Sequence, residues 1–198
     1  MLIGINGKIG SGKTTAAKLI AEYFHKKEIP IYYRMWAKPL KETVEILSGI
    51  KMKHEGENCF TDGITDYTQE DKSTYVEHFN ITVGKMLQKI GTDVFREHFD
   101  KETWIKFLYF GDYKNIEKIY NKRKFVYLIS DTRFPNEADF IKNNNGILIK
   151  IIGKEFETDR DKMHESEIAL DSYNKFDHII DNTGSLEDLK NNIFNLKL

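Results

Sequence analysis

Residues Gly7-Lys8-Ile9-Gly10-Ser11-Gly12-Lys13-Thr14 form a glycine-rich octapeptide between an apolar run, Leu2-Ile3-Gly4-Ile5, and a helical pattern over residues 14–27. The spacing is G-x-x-x-x-G-K-[ST], the phosphate-binding loop, in the strand-then-helix setting that the motif requires. Glycines let the backbone curl until several N–H groups face one anion. The helix N-terminus adds positive potential. Lys13 supplies a point charge for the terminal phosphates, and the Thr14 hydroxyl is an oxygen ligand suited to magnesium. The motif therefore predicts binding of a nucleoside triphosphate with Mg2+ through Gly7, Lys8, Gly10, Ser11, Gly12, Lys13, Thr14 and Thr15. It does not name the acceptor.

Outward from this loop the chain alternates strands and helices. Residues 31–35, 125–129, 147–152 and 177–180 read as further strands. The run Phe125-Val126-Tyr127-Leu128-Ile129 is apolar throughout, the pattern of a central strand covered on both faces. Helices are expected over residues 39–47, 83–90, 101–110, 136–143 and 185–194, the last opened by Ser185 as N-cap. Residues 51–80 are polar and are expected to be loop with at most a short helix. The pattern predicts an α/β, three-layer P-loop fold on a parallel sheet. The core spans about 1–36 and 125–198. The stretch from about 37 to 124 is too long for one crossover and should form a helical subdomain beside the sheet. Ligands of such sheets bind at the carboxyl ends of the strands.

The bulk composition narrows the partners. In 198 residues the charges nearly cancel, to −1. No basic field is available for a nucleic-acid backbone, so a small acceptor fits better. No apolar run is long enough to span a membrane, and the N-terminal apolar run is too short for a signal peptide. The single cysteine, Cys59, cannot form an internal disulfide and reads as an inert thiol of a reducing compartment, hence a cytoplasmic protein, or one of the host cytoplasm if viral. A homodimer is carried as the option for assembly.

The central strand ends in Ser130-Asp131-Thr132-Arg133-Phe134-Pro135-Asn136-Glu137. Asp131 is placed beside the phosphate loop, to hold magnesium or organise an acceptor; the alternative is an acid that caps a turn. The planar fork of Arg133 suits a phosphate dianion, against the alternative of a surface arginine. Asn136 and Glu137 fit equally a helix cap and first-turn acid. On pattern alone Arg96 and Gln88 fit a solvated helix face, and Trp104 fits the core or a stacking platform. His164-Glu165-Ser166-Glu167 fits a metal fragment less well than a helix start with N-terminal acids. The basic run over residues 118–124 reads as a solvated connection.

Taken together, the phosphate loop, Val83-Gly84-Lys85-Met86-Leu87-Gln88-Lys89-Ile90-Gly91-Thr92-Asp93-Val94-Phe95-Arg96, Trp104, the Asp131 to Glu137 segment and the His164 to Glu167 segment occur in the order found in one family. The chain resembles the deoxynucleoside monophosphate kinases of tailed bacteriophages over nearly its whole length. The resemblance implies an adenylate-kinase-like core, a mobile lid at about residues 153–165, and transfer of the ATP γ-phosphate to a deoxynucleotide. It implies acceptor contacts from Lys38, Gln88, Thr92, Arg96, Arg133 and Glu137, and a lid arginine, Arg160. The catalytic set is then Lys13, Arg133, Asp131 and Arg160, with Thr14 and Asp131 at the metal. Two positions depart from the family pattern. Lys38 stands where an acid is expected, and Lys85 where an arginine is expected; lysine keeps the charge but loses the bidentate fork. The alternatives are a kinase of another small phosphorylated metabolite, of the phosphomevalonate or dephospho-coenzyme A type, and a regulatory ATPase.

Overall fold

The computed structural model describes residues 1–51, 69–121, 123–154, 164–196 and 198. Cys59, Arg160, most of the lid expected at 153–165 and much of the 51–80 stretch lie outside the described residues.

Five parallel strands form the sheet: β1 (Leu2–Gly7), β2 (Ile31–Arg34), β5 (Val126–Ile129), β6 (Ile147–Gly153) and β7 (His178–Asn182). Their order is β2-β5-β1-β6-β7. The pairing registers Gly4 with Ile129 and Gly7 with Ile151, so the carboxyl ends of β5, β1 and β6 converge on one edge. Each step of two along a strand returns a side chain to the same face, and this period sorts the core. Ile3, Ile5, Val126, Leu128, Ile149 and Ile151 pack on one face, against α1 (Lys13–His25) and α9 (Leu186–Phe194). Leu2, Tyr127, Ile129 and Leu148 face the other side, against α7 (Pro135–Asn143) and the helices inserted between β2 and β5. Ala17, Ile20 and Phe24 give α1 its apolar stripe, while Ala138 and Ile141 serve α7. Burial of this kind stabilises by about 25 cal/mol per Å² of apolar surface. The result is the three-layer parallel fold read from the sequence, and Ser185 closes a capping box on α9 with Asp188.

Between β2 and β5 lie α2 (Lys38–Ser48), the short α3 (Gln69–Ser73), and a two-stranded ribbon, β3 (Tyr75–Val76) with β4 (Ile81–Thr82). The ribbon was not legible in the sequence, because two-residue strands are too short to show an alternation. Next comes α4 (Val83–Gln88), which continues as a π-helix over Lys89–Glu97. Then α5 (Thr103–Leu108) passes through π-helical Tyr109–Tyr113 into α6 (Lys114–Tyr120). The expected connection over 118–124 is therefore helical at its start. Buried Ile116 anchors α6, and Asn121, with φ of 39°, ends it. The four-residue α8 (Glu165–Ile168) precedes β7.

Candidate active site

The phosphate loop joins β1 to α1. Gly10 and Gly12 adopt φ of 75° and 92°, the left-handed region open to glycine at little cost. A Cβ on Gly7 would lie 2.4 Å from Ser11 Oγ and 2.7 Å from the Ile151 carbonyl oxygen. These constraints fold the loop tightly over the β1 end. No side chain caps the start of α1, and its first turn holds no acid. Ser11 Oγ is buried with no hydrogen-bond partner among the described residues. Lys13 curls back so that Nζ donates to the carbonyls of Gly7 (2.8 Å) and Lys8 (2.7 Å). An uncapped helix end, an orphaned hydroxyl and a lysine held over the loop are what an anion of phosphate type requires.

A cavity of about 320 Å³ starts at this loop and extends beneath the inserted helices. Gly10, Gly12, Lys13 and Thr14 of the loop line it, together with Leu87, Gln88, Thr92, Arg96 and Trp104 of the inserted helices and Asp131 and Arg133 past β5. Gln88, Thr92 and Arg96 follow at intervals of four. In an α-helix of 3.6 residues per turn, such residues drift around the axis. The wider π turn after Gln88 counters that drift, and all three keep to the cavity side. Trp104 is buried, with Nε1 donating to the Gly91 carbonyl at 3.3 Å, so it is wall and core at once.

The residues past β5 form one hydrogen-bonded cluster. Asp131 accepts from the backbone N–H of Trp36 (2.7 Å) and Ala37 (3.0 Å), which fixes the start of α2 against the sheet. It thus serves as a cap, although of the β2–α2 turn and not its own. Glu137 is buried and accepts from the backbone N–H of Arg133 (2.8 Å) and Phe134 (3.2 Å), and from Arg96 Nη1 at 3.1 Å. Burial pushes its carboxyl up to about 7, against the pull of Arg96. Arg96 also donates to Asn136 at 2.8 Å and lies over the Phe134 ring, 3.5 Å from its centroid. Arg133 Nη1 donates to Glu167 Oε1 at 2.5 Å and to the Ser166 carbonyl at 3.2 Å.

A model of the deoxynucleotide monophosphate kinase family matches residues 39–193. The chain belongs to the deoxynucleotide monophosphate kinase family. It is a phosphotransferase of that class, a P-loop kinase acting on a deoxynucleoside monophosphate. A protein of Acanthamoeba polyphaga mimivirus named for the same activity is 32% identical, with 98% of this chain and 94% of the relative covered. The deoxynucleoside-5'-monophosphate kinase of Escherichia phage T5 is 22% identical, over 98% and 95% of the two chains. Among solved structures, the shikimate kinases of Aquifex aeolicus and Bacteroides thetaiotaomicron align over 98% of this chain and 94% of theirs. Identities are 15% and 14%, and TM-scores 0.43 and 0.42. Such scores are low, and the fold assignment stands on the strand order above.

Not every expected residue of this kinase reaches the cavity. Lys38 is exposed and lines a separate hollow beside β2, whereas Lys41, on the same helix, is buried and lines the cavity. At about 100° per residue, Lys38 lies on the far side of α2 from the buried Leu40 and Val44, and Lys41 beside them. Lys85 is exposed, away from the cavity. Thr15 is exposed too, and the Lys8 side chain runs to α8, where Nζ donates to the Glu167 carbonyl at 2.6 Å. His164 caps α8 by accepting from Ser166 N–H, the helix-start alternative. No three-member cluster of metal-ligating side chains occurs among the described residues.

Two contributors were not among the expected site residues. Asn182, at the end of β7, donates to the Ser11 carbonyl at 2.9 Å and braces the loop. Its signal was its place at a carboxyl strand end. Glu167 had its place in the His164 to Glu167 segment, which the resemblance included without assigning that residue a role.

Proposed function

We propose that this kinase transfers the terminal phosphoryl group of ATP to the 5′-phosphate of a deoxynucleoside monophosphate, with Mg2+ as the metal. The observation that carries the proposal is that one cavity is lined both by Gly10, Gly12, Lys13 and Thr14 of the phosphate loop and by Gln88, Thr92 and Arg96 of the inserted helices. Donor and acceptor held in one enclosure need little more than alignment and charge neutralisation.

The loop amides and Lys13 bind the ATP phosphates, Lys13 leaving the carbonyls of Gly7 and Lys8 to do so. Arg96 and Arg133 meet the acceptor phosphate and the transferring group. Gln88 and Thr92 face the nucleoside part, against the apolar wall of Leu87 and Trp104. Thr14 would hold magnesium directly; Asp131, already accepting from two amides, would do so through water. When bound, the metal neutralises charge on the donor phosphates. The acceptor is itself an oxyanion and requires no strong base. Glu137 acts behind Arg96 and not on the substrate.

The substrates are small nucleotides. The near-neutral charge does not favour nucleic-acid binding, and among the described residues no helix is long and apolar enough to cross a membrane. The viral and phage relatives support a place in the host cytoplasm.

Steady-state kinetics of Arg96→Ala test the arrangement. The KM for the deoxynucleotide should rise about tenfold or more while the KM for ATP stays within threefold. An equal rise in both would remove Arg96 from the acceptor end.

A further inference from the structure

Glu167 makes two contacts in opposite directions. Its backbone carbonyl accepts from Lys8 Nζ at 2.6 Å, in the phosphate loop. Its carboxylate accepts from Arg133 Nη1 at 2.5 Å, beyond the end of β5, with the Glu167 side chain only 4% exposed. The neighbouring Ser166 carbonyl takes a second bond from the same Arg133 nitrogen, at 3.2 Å. Lys8 also pairs with Asp171, three residues past α8. Glu167 therefore ties the donor loop and the β5 arginine to the same residue, and it lines the cavity itself.

We propose that Glu167 is a positioning residue for phosphoryl transfer: it orients the Arg133 guanidinium at the cavity wall and fixes that orientation relative to the phosphate loop. The proposal rests on the assignment of Arg133 to the transferring group. An arginine side chain has several rotatable bonds, and holding them in one arrangement costs conformational entropy. A buried carboxylate that accepts from one guanidinium nitrogen meets that cost before substrate arrives. It holds the plane of the guanidinium in a fixed direction, the kind of preorganisation that acts on the transition state. The bond from Lys8 to the Glu167 backbone means that this direction is set with reference to the loop holding the donor. An arginine placed only by its own rotamer preferences would have no such reference.

The test is a double-mutant cycle on kcat, using Glu167→Gln, Arg133→Ala and the double variant, each checked for an unchanged thermal melt. Glu167→Asp, which keeps the charge on a shorter stem, serves as the second variant. Arg133→Ala should lower kcat by a hundredfold or so. Glu167→Gln should lower kcat about tenfold or more, leave both KM values within threefold, and add nothing to the loss in the Arg133→Ala background. Glu167→Asp should fall between the parent and Glu167→Gln. A kcat of Glu167→Gln within threefold of the parent, or a loss that multiplies in the double variant, overturns the proposal. A full kcat in Arg133→Ala overturns it too, by removing the assignment on which it rests.

Discussion

The Glu137 carboxylate accepts the Arg96 guanidinium at 3.1 Å, with only 2% and 8% of the two side chains exposed. The same carboxylate holds the backbone N–H of Arg133. One buried acid thus holds the Arg96 guanidinium and the Arg133 backbone together, and its own protonation becomes a property of the site.

Because burial raises the Glu137 pKa to about 7 from an ordinary 4.5, the folded chain holds this proton more tightly than the unfolded chain. The stabilisation is fully present below about pH 4.5 and is lost as pH rises through 7. Glu137→Gln removes this titration. The stability of the parent relative to Glu137→Gln should fall between pH 5 and 8, by on the order of 2 kcal/mol. Urea denaturation of both proteins across that range checks it; parallel pH profiles would contradict it.

A second network braces the inserted helices. Asp112 accepts from Arg34 Nε at 2.5 Å, from Arg34 Nη2 at 3.2 Å and from the Tyr127 hydroxyl at 2.7 Å. Burial, then the bond to Asp112, raises the Tyr127 phenol well above its ordinary pKa. Asp112→Ala strands a partly buried arginine and a fully buried tyrosine at once and should cost about 2–3 kcal/mol. The measurement is a shift in the denaturation midpoint at constant m-value, with the KM for ATP unchanged.

In the phosphate loop, Gly12→Ala meets two obstacles. The φ of 92° is strained for any L side chain, and the added Cβ would lie 2.3 Å from Asn182 Nδ2. Affinity for ATP, measured by calorimetry, should fall by tenfold or more, while Gly111→Ala, with nothing within 4 Å of the added Cβ, should bind normally.

Much of this arrangement was legible in the sequence, for physical reasons that differ from part to part. The phosphate loop is contiguous, and its spacing is dictated by the anion it surrounds, so Gly7 to Thr14 could be read directly. β5 announced itself because a strand buried on both faces has no polar position to spare. The site between them depends on contacts across long stretches of chain. Glu167 meets Arg133 34 residues away, and Asn182 meets Ser11 171 residues away; no local pattern encodes either. Lys38 and Lys41 could be told apart only by the rotation of α2 about the Leu40 and Val44 stripe. Asp131 was placed correctly at the strand end, but its partners at the start of α2 follow from how β2 and β5 pair.

The most direct test of the central claim is ADP release measured with ATP, Mg2+ and each common deoxynucleoside and ribonucleoside monophosphate in turn. Release should depend on one or more deoxynucleotides and be weak with the ribose forms. Release that no nucleotide stimulates would contradict it.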